Sequence, residues 1–227
     1  MISIAIDGPS GAGKSTIAKI LAKELGYIYI DTGALYRAVG LFALRQGVEP
    51  DDREDVTGLL GGVDVALRFV NGEQRVVLNG GDVSREIRRP EVSMAASAVS
   101  AIPAVREFLF VLQRSIAKSG DCLMDGRDIG TVVLPDASVK IFLTASPEER
   151  AGRRYKELRE KGLDVEYETV LAELKQRDHN DSTRAAAPLK QAADAVLVDT
   201  TGIELPQAVE LIKNIILDKI NSQEEKP

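Results

Sequence analysis

A glycine-rich loop near the amino terminus constrains this chain more than any other part of its sequence. The stretch GPSGAGKST at residues 8–16 follows the apolar run ISIAID and fits the pattern G-x-x-x-x-G-K-[ST]. Glycines let the backbone curl close to an anion, and a helix that begins at Lys14 points its positive dipole end at the same phosphates. The loop therefore predicts a bound nucleoside triphosphate. The residues predicted to contact it are Gly8, Pro9, Ser10, Gly11, Ala12, Gly13, Lys14, Ser15 and Thr16.

Five short apolar runs predict the strands of a parallel sheet, because helical patterns separate them in the alternation of βαβ units. The expected fold class is therefore α/β, with helices on both faces of the sheet. Four runs end in aspartate on the side where such sheets bind ligands, although turn capping explains a terminal aspartate equally well. The runs are residues 3–7, 27–31, 122–125, 140–143 and 195–199, and the aspartates are Asp7, Asp31, Asp125 and Asp199.

Two regions add to this alternating pattern. Residues 63–70 and 74–83 predict a small antiparallel β insertion joined by the turn signal NGE. Farther along, Ser146 can cap a charged helix, with Pro147 at its first position and Glu149 completing a capping box. A second charged helix follows the turn EKGLD. The two helices predict either a hairpin that swings over a bound triphosphate or a solvated amphipathic hairpin.

Composition narrows the class of protein. A chain of 227 residues with 44% hydrophobic residues suits one substantial domain. The formal charge of -6 disfavours a general nucleic-acid-binding surface, so no nucleic-acid partner is expected. The single cysteine, Cys122, excludes an internal disulfide, and the single histidine, His179, disfavours a histidine triad or a multi-histidine metal site. The first apolar run is too short for a signal peptide or a membrane span, so a cytoplasmic protein without a membrane partner is expected.

The acceptor of the phosphoryl group is predicted to be a small anion. The phosphate loop alone leaves water, a protein and a small molecule open as acceptors. The guanine-reading pattern N-K-x-D of regulatory GTPases does not occur in the sequence, which disfavours water. Arginines instead occur in several stretches that a small anionic acceptor can bring together, and two of these, DTGALYR and DGRD, follow predicted strand ends. These arginines are Arg37, Arg127, Arg177 and Arg184.

The order of these motifs resembles that of the bacterial cytidylate kinases, within the nucleoside monophosphate kinase family of P-loop proteins. The matching segments are IDGPSGAGKST, DTGALYRAV, GGDVSREIR, AASAVSAIPAVR, DGRDIGTVVLPDA, SPEERAGRR and RDHNDSTRAAAPL. The resemblance covers essentially the whole chain and implies a single kinase domain over residues 1–227, with a five-stranded parallel sheet flanked by helices. It implies a core of residues 1–60, 84–145 and 183–227, the antiparallel part of an NMP-binding insertion at 61–83, and a helical lid region at 146–182.

The resemblance also implies the substrates and their contacts. ATP is the donor, and CMP or dCMP is the acceptor. Cytosine shows a donor at N4 and acceptors at N3 and O2, and the residues matched to this edge are Asp128, Ser97 and Arg106. Uracil reverses the pattern at N3 and at the C4 substituent, which leaves buried groups unpaired. The other implied CMP contacts are Arg37, Arg127 and Arg184 on the phosphate, Arg177 and Asp181 on the sugar, and Thr32 and Asp125.

Catalysis by such an enzyme needs no covalent nucleophile, because phosphoryl transfer depends on alignment and on neutralising negative charge. Ser15 is expected to bind Mg²⁺, and Asp125 to hold a water of the same ion, with turn capping as the alternative for Asp125. On the lid helix, Arg150 and Arg154 are preferred to Arg153 because residues four apart share a face. The predicted catalytic residues are Lys14, Arg127, Arg150, Arg154 and Arg184.

Two other functions remain open from the sequence. The first is a kinase of the same architecture with another small acceptor, such as UMP or a nonphosphorylated metabolite. The second is a regulatory protein in which the phosphate loop governs partner binding without productive transfer. A monomer is expected, from the resemblance and because the sequence has no obvious oligomerisation heptad.

Overall fold

The computed structural model describes residues 1–70 and 73–224. The chain forms two compact units, Met1–Tyr29 with Gly120–Pro227 and Ile30–Ser119. The strands are β1 (Ser3–Asp7), β2 (Ile28–Asp31), β3 (Val65–Val70), β4 (Glu73–Leu78), β5 (Gly81–Asp82), β6 (Cys122–Gly126), β7 (Val139–Thr144) and β8 (Val196–Asp199). The helices are α1 (Lys14–Leu25), α2 (Thr32–Arg45), α3 (Arg53–Leu59), α4 (Pro90–Val99), α5 (Pro103–Ala117), α6 (Pro147–Glu160), α7 (Tyr167–Thr183) and α8 (Leu205–Glu224).

The five-stranded sheet has the strand order β2-β6-β1-β7-β8, which confirms the predicted α/β fold. Strand β1 pairs in parallel with β6 on one side and β7 on the other, and β7 pairs in parallel with β8. Apolar side chains of β1 and β7 pack against helices α1 and α8, because parallel strands are buried on both faces. Ile4, Ile6, Leu21, Leu143 and Ile212 are fully buried in this core.

The glycines of the phosphate loop occupy backbone conformations that side chains rarely adopt. Gly8 follows β1 with a φ of +151°, and a Cβ atom there would lie 1.9 Å from the carbonyl oxygen of Leu143. Gly13 caps α1 with a φ of +86°. The first turn of the helix then begins at Lys14, as the sequence predicts, because Gly13 accepts from the N–H of Ile17 at 3.0 Å. The positive φ angles at Gly8 and Gly13, and the close approach of Gly8 to Leu143, therefore favour glycine at both ends of the loop.

The second unit contains the predicted antiparallel insertion. Strand β3 pairs with β4 in the register Val65↔Leu78 to Val70↔Glu73, and β4 pairs with β5. The first two residues of the predicted NGE turn, 71 and 72, lie outside the described residues. The sequence predicts a helical stretch over residues 90–118 that is interrupted near Pro103, and the break between α4 and α5 confirms this prediction. Helices α2 and α4 pack closely, since a Cβ at Gly40 would lie 3.0 Å from the carbonyl carbon of Ala95.

Helices α6 and α7 form the predicted charged hairpin, but the capping box at its start is only half formed. The Ser146 hydroxyl accepts from the N–H of Glu149 at 3.2 Å, as predicted. The N–H of Ser146, however, donates to the hydroxyl of Thr201 at 2.8 Å. The carboxylate of Glu149 instead accepts from Arg153 at 3.2 Å, because a tertiary partner has already satisfied the amide that it would cap.

Cys122 lies in the apolar stretch CLMD, which predicts burial, and His179 lies in the polar stretch RDHND, which predicts a surface position; the structure confirms both predictions. Cys122 is fully buried in β6, and this burial raises the pKa of its thiol to about 11. His179 is exposed on α7. Within residues 1–70 and 73–224, no single helix has the length and apolar composition needed to cross a membrane, and α4 with α5 meets that test only as a pair bent by 100°.

Candidate active site

The lysine of the phosphate loop is buried at the start of α1. Lys14 is 5% exposed, and its ammonium group donates to the carbonyl of Pro9 at 2.7 Å. Burial lowers the pKa of Lys14 well below its ordinary value, and the nearby charge of Arg127 lowers it further. A desolvated cation of this kind gains more from a nearby anion than an exposed lysine does, because water no longer screens it. The environment of Lys14 thus suits a phosphate group.

Three oxygen-bearing side chains meet at the end of β6. The hydroxyl of Ser15 donates to one carboxylate oxygen of Asp125 at 2.7 Å, and the hydroxyl of Tyr29 donates to the other at 2.8 Å. Asp125 is 4% exposed, so its carboxylate is oriented by these two partners. Hydroxyl and carboxylate oxygens are the ligands that Mg²⁺ prefers, and the set therefore fits that ion. Sequence reasoning missed Tyr29, although the alternation of YIYID indicated side chains on one face of β2.

A buried cluster of arginines and aspartates lies in the first unit, which also contains the phosphate loop. The Nε of Arg127 donates to Asp181 at 2.8 Å, and Arg184 lies 3.8 Å from the other carboxylate oxygen of Asp181. Arg184 also lies 3.6 Å from Asp128 and donates to the carbonyl of Ala187 at 2.7 Å. Burial tends to raise the pKa of Asp181, but Arg127 and the other nearby arginines outweigh it and lower that pKa. The carboxylates therefore hold the guanidinium groups in fixed orientations.

Asp7, at the end of β1, supports the segment that carries Asp128. Its two carboxylate oxygens accept from the N–H of Ile129 at 2.8 Å and the N–H of Gly130 at 2.7 Å. These residues belong to a π-helical turn at Ile129–Val133 that directly follows Asp128. Burial raises the pKa of Asp7 to about 6, and the negative charge of Asp128 contributes. Sequence reasoning placed Asp7 at a strand end but did not find this role, because its partners lie more than a hundred residues away.

The two arginines predicted on the lid helix have different surroundings. Arg150 is 4% exposed and donates to the carbonyls of Ala145 and Ser10, at 2.8 Å each. Arg154 instead pairs with Glu157 at 2.8 Å on a half-exposed part of α6. The shared helical face therefore does not bring both arginines to the phosphate loop. Arg153, between them, donates to the carbonyl of Thr200 at 3.0 Å.

In the second unit, an aspartate organises the segment that contains Thr32 and Arg37. Asp31 caps α2 by accepting from the N–H of Ala34 at 3.0 Å, and it also accepts from Arg88 at 2.9 Å. Burial tends to raise the pKa of Asp31, but Arg37 and Arg88 outweigh it and lower that pKa. Thr32, the first residue of α2, is 3% exposed. The DTG segment is thus fixed by a buried carboxylate that holds its negative charge.

The second unit also contains the two remaining residues predicted to read the base. Arg106 donates to the carbonyl of Ser100 at 3.2 Å, and its guanidinium group lies 5.6 Å from the centre of the Tyr36 ring. The carbonyl of Ser97 accepts from the Ser100 hydroxyl at 2.8 Å. A hydrogen bond and a cation–π contact therefore orient the guanidinium group of Arg106.

The predicted site residues are thus divided between the two units. The first unit contains the phosphate loop and brings Ser15 together with Asp125, and Arg127 and Arg184 together with Asp181 and Asp128. Arg177 belongs to the same group, since its charge acts on Asp181. The second unit contains Thr32, Arg37, Ser97 and Arg106.

Comparisons with known proteins show the family to which the chain belongs. The family model described as Cytidylate kinase matches residues 4–218. The cytidylate kinase of Caldicellulosiruptor bescii is 51% identical over 222 residues, which cover 98% of both chains. That of Caldanaerobacter subterraneus subsp. tengcongensis is 54% identical over 215 residues, covering 95% of this chain and 94% of the relative. The solved structure of an uncharacterized protein from Eubacterium ventriosum supports the fold alone, with a TM-score of 0.51, 14% identity and coverage of 98% and 99%. The chain belongs to the cytidylate kinase family.

Proposed function

We propose that this protein transfers the γ-phosphoryl group of ATP to CMP and dCMP, giving ADP with CDP or dCDP. The observation that carries the proposal is the phosphate-loop lysine, Lys14, within electrostatic reach of Arg127 in the buried arginine–aspartate cluster. The loop suits a triphosphate donor, and the cluster suits an anionic acceptor. Membership of the cytidylate kinase family supports cytidine monophosphates as that acceptor.

The donor side needs positive charge and fixed backbone donors. Lys14 stabilises the negative charge that spreads over the transferring group, and the loop amides from Gly11 to Thr16 hold the phosphates. Ser15 and Asp125 would hold Mg²⁺, with Asp125 acting through a bound water. When bound, this ion neutralises charge on the β- and γ-phosphates. The 2.7 Å hydrogen bond between Ser15 and Asp125 supports this pairing.

The acceptor phosphate is proposed to bind to Arg37, Arg127 and Arg184. A planar guanidinium group can bind two phosphate oxygens at once. The carboxylates that already orient these arginines reduce the side-chain entropy that the arginines lose when the phosphate binds. Asp181 orients Arg127 through a 2.8 Å hydrogen bond. With both substrates held in line, the acceptor oxygen attacks the γ-phosphorus without any covalent intermediate on the protein.

The remaining CMP contacts are proposed from the match to the family. Asp128 accepts from N4 of cytosine, and Ser97 and Arg106 donate to its acceptor atoms. Arg177 and Asp181 contact the sugar, and Thr32 contacts the phosphate or the sugar. A site that supplies these groups rejects uracil, because the reversed hydrogen-bond pattern leaves buried polar atoms unpaired.

Steady-state phosphoryl transfer from Mg·ATP tests the proposal, with CMP, dCMP, UMP, AMP and GMP measured in parallel. We expect a strong preference for CMP and dCMP, and little hydrolysis in a control without an acceptor. A preference for another acceptor would retain the kinase and reject the cytosine site. Nucleotide-dependent partner binding with no transfer to any acceptor would indicate the regulatory alternative.

The assembly state is proposed to be a monomer without a nucleic-acid partner. The net charge of -6 supports this proposal, because like charges oppose both self-association and binding to a polyanion. Light scattering at several protein concentrations measures the mass directly, and the monomer predicts 24.5 kDa throughout.

A further inference from the structure

The α6–α7 hairpin holds both backbone polar groups of Ser10 in the phosphate loop. The N–H of Ser10 donates to one carboxylate oxygen of Asp178, on α7, at 3.1 Å. The carbonyl of Ser10 accepts from Nη1 of Arg150, on α6, at 2.8 Å. The same Nη1 donates to the other oxygen of Asp178 at 2.6 Å, which closes the set. We call these three residues the Ser10 clamp.

Packing next to the clamp leaves the loop little room to shift. A Cβ at Gly11 would lie 3.2 Å from the Cβ of Arg150 and 3.2 Å from a methyl group of Leu174. Leu174 and Asp178 are one helical turn apart on α7, so they present one face to the loop. Arg150 is also held by the residue that follows strand β7, since its Nε donates to the carbonyl of Ala145. Sheet, loop and hairpin are thus joined at this point.

The other end of the same helical face reaches the acceptor side of the proposed reaction. Asp181 lies one turn after Asp178 and accepts from Arg127 at 2.8 Å. The charge of Asp178 also acts on Arg127. One rigid helix therefore contacts the loop of the phosphoryl donor through Asp178 and an arginine of the acceptor cluster through Asp181.

We infer that Asp178 is a positioning residue for phosphoryl transfer, which sets the distance between the phosphate loop and the Arg127–Asp181 pair through helix α7. Transfer requires donor and acceptor to be in line, and a displacement of about 1 Å can lower a rate about a hundredfold. Each substrate alone can still bind to a slightly displaced half of the site. Loss of the clamp therefore lowers kcat more than it raises KM. This inference rests on the proposed kinase activity.

The test is the substitution Asp178→Asn, which keeps the size of the side chain. The amide of asparagine has one acceptor oxygen, whereas the carboxylate of Asp178 uses two, one for Ser10 and one for Arg150. We expect kcat to fall about tenfold or more, with KM for ATP and for CMP each within about threefold of the wild type. Glu173→Gln, on an exposed part of the same helix, removes one negative charge and serves as the matched control. An unchanged kcat, or a raised KM at unchanged kcat, would overturn the inference.

A double-variant cycle separates positioning from general destabilisation. If Asp178 and Arg150 act as one clamp, the double variant Asp178→Asn with Arg150→Gln has a kcat no lower than that of the single variant with the lower kcat. Multiplying effects on kcat would mean that the two residues act independently, and would reject the clamp. Circular dichroism first shows that each variant is folded at the assay temperature. If Asp178→Asn is unfolded, Arg150→Lys tests the same kcat-against-KM split, because lysine keeps the charge but cannot maintain all three contacts.

The wild-type enzyme distinguishes the two proposals. A wild type that does not phosphorylate CMP or dCMP rejects the proposed function. A wild type that does so, together with an Asp178→Asn variant of equal kcat, rejects only the positioning role of Asp178.

Discussion

The substitution Gly8→Ala tests the contact between the phosphate loop and the central sheet. An added Cβ would lie 1.9 Å from the carbonyl oxygen of Leu143 and 3.0 Å from its carbonyl carbon. Leu143 belongs to β7, which pairs with β1 on one side and β8 on the other. The carbonyl of Leu143 therefore cannot retreat without disturbing two strand pairings, and we expect the loop to be displaced instead.

The magnitude follows from the size of this overlap. The gap must open by roughly 1.5 Å before the two atoms reach an ordinary contact distance. Such a shift costs about 1 kcal/mol for each ladder or loop hydrogen bond that it breaks, and alanine adds about 1–3 kcal/mol of backbone strain at a φ of +151°. We therefore expect Gly8→Ala to lower the free energy of unfolding by about 3 kcal/mol. Affinity for ATP should fall as well, since the loop amides move.

Urea unfolding followed by circular dichroism measures the change, and isothermal titration with Mg·ATP measures the affinity. Gly152→Ala is the control, because Gly152 lies within α6 and an added Cβ there meets nothing within 4 Å. Alanine in a helix interior should stabilise the protein by up to about 1 kcal/mol. A Gly8→Ala protein within about 1 kcal/mol of the wild type would refute the steric reasoning.

Three further predictions concern the site. Asp128→Asn should lower kcat/KM for CMP and reduce the ratio of kcat/KM for CMP to that for UMP, while ATP still binds. An unchanged ratio in acceptor assays would mean that Asp128 does not read the base. Ser15→Ala should raise the Mg²⁺ concentration needed for half-maximal rate, and a magnesium titration that overlays the wild type contradicts the metal assignment. Burial raises the pKa of Asp7 to about 6, so this group stabilises the fold below about pH 4 and loses that contribution as the pH rises through about 6. The stability advantage of the wild type over Asp7→Asn should therefore shrink by about 2 kcal/mol between pH 4.5 and pH 7, and an equal advantage at both pH values in urea unfolding excludes this titration.

Much of the fold could be predicted from the sequence, because its signals are local. Each strand of the parallel sheet is a short apolar run, and the observed strands match the predicted ones within two residues. The phosphate loop was recognisable because its glycines are required at fixed spacing. The helical break at Pro103 was predictable for the same kind of reason, since proline suits a first helical turn and disrupts an interior one.

The supporting contacts of the site could not be predicted, because they join residues far apart in the chain. Asp7 and Ile129 are separated by 122 positions, and Ser10 and Asp178 by 168. The capping box failed for a related reason, since the hydroxyl of Thr201 satisfies the N–H of Ser146. Helical spacing showed that Arg150 and Arg154 share a side of α6. It could not show that Arg150 donates to the carbonyl of Ser10 in the loop while Arg154 pairs with Glu157.

The buried thiol of Cys122 makes the protein convenient for labelling. It is the single cysteine of the chain, and at a pKa of about 11 only about one such thiol in ten thousand is ionised at pH 7. Maleimide reagents attack the thiolate, and full burial blocks their approach as well. A cysteine introduced at an exposed position, such as Glu173 on α7, would then be the one reactive thiol. A fluorophore attached there can report movement of the hairpin during turnover, with the natural cysteine left in place.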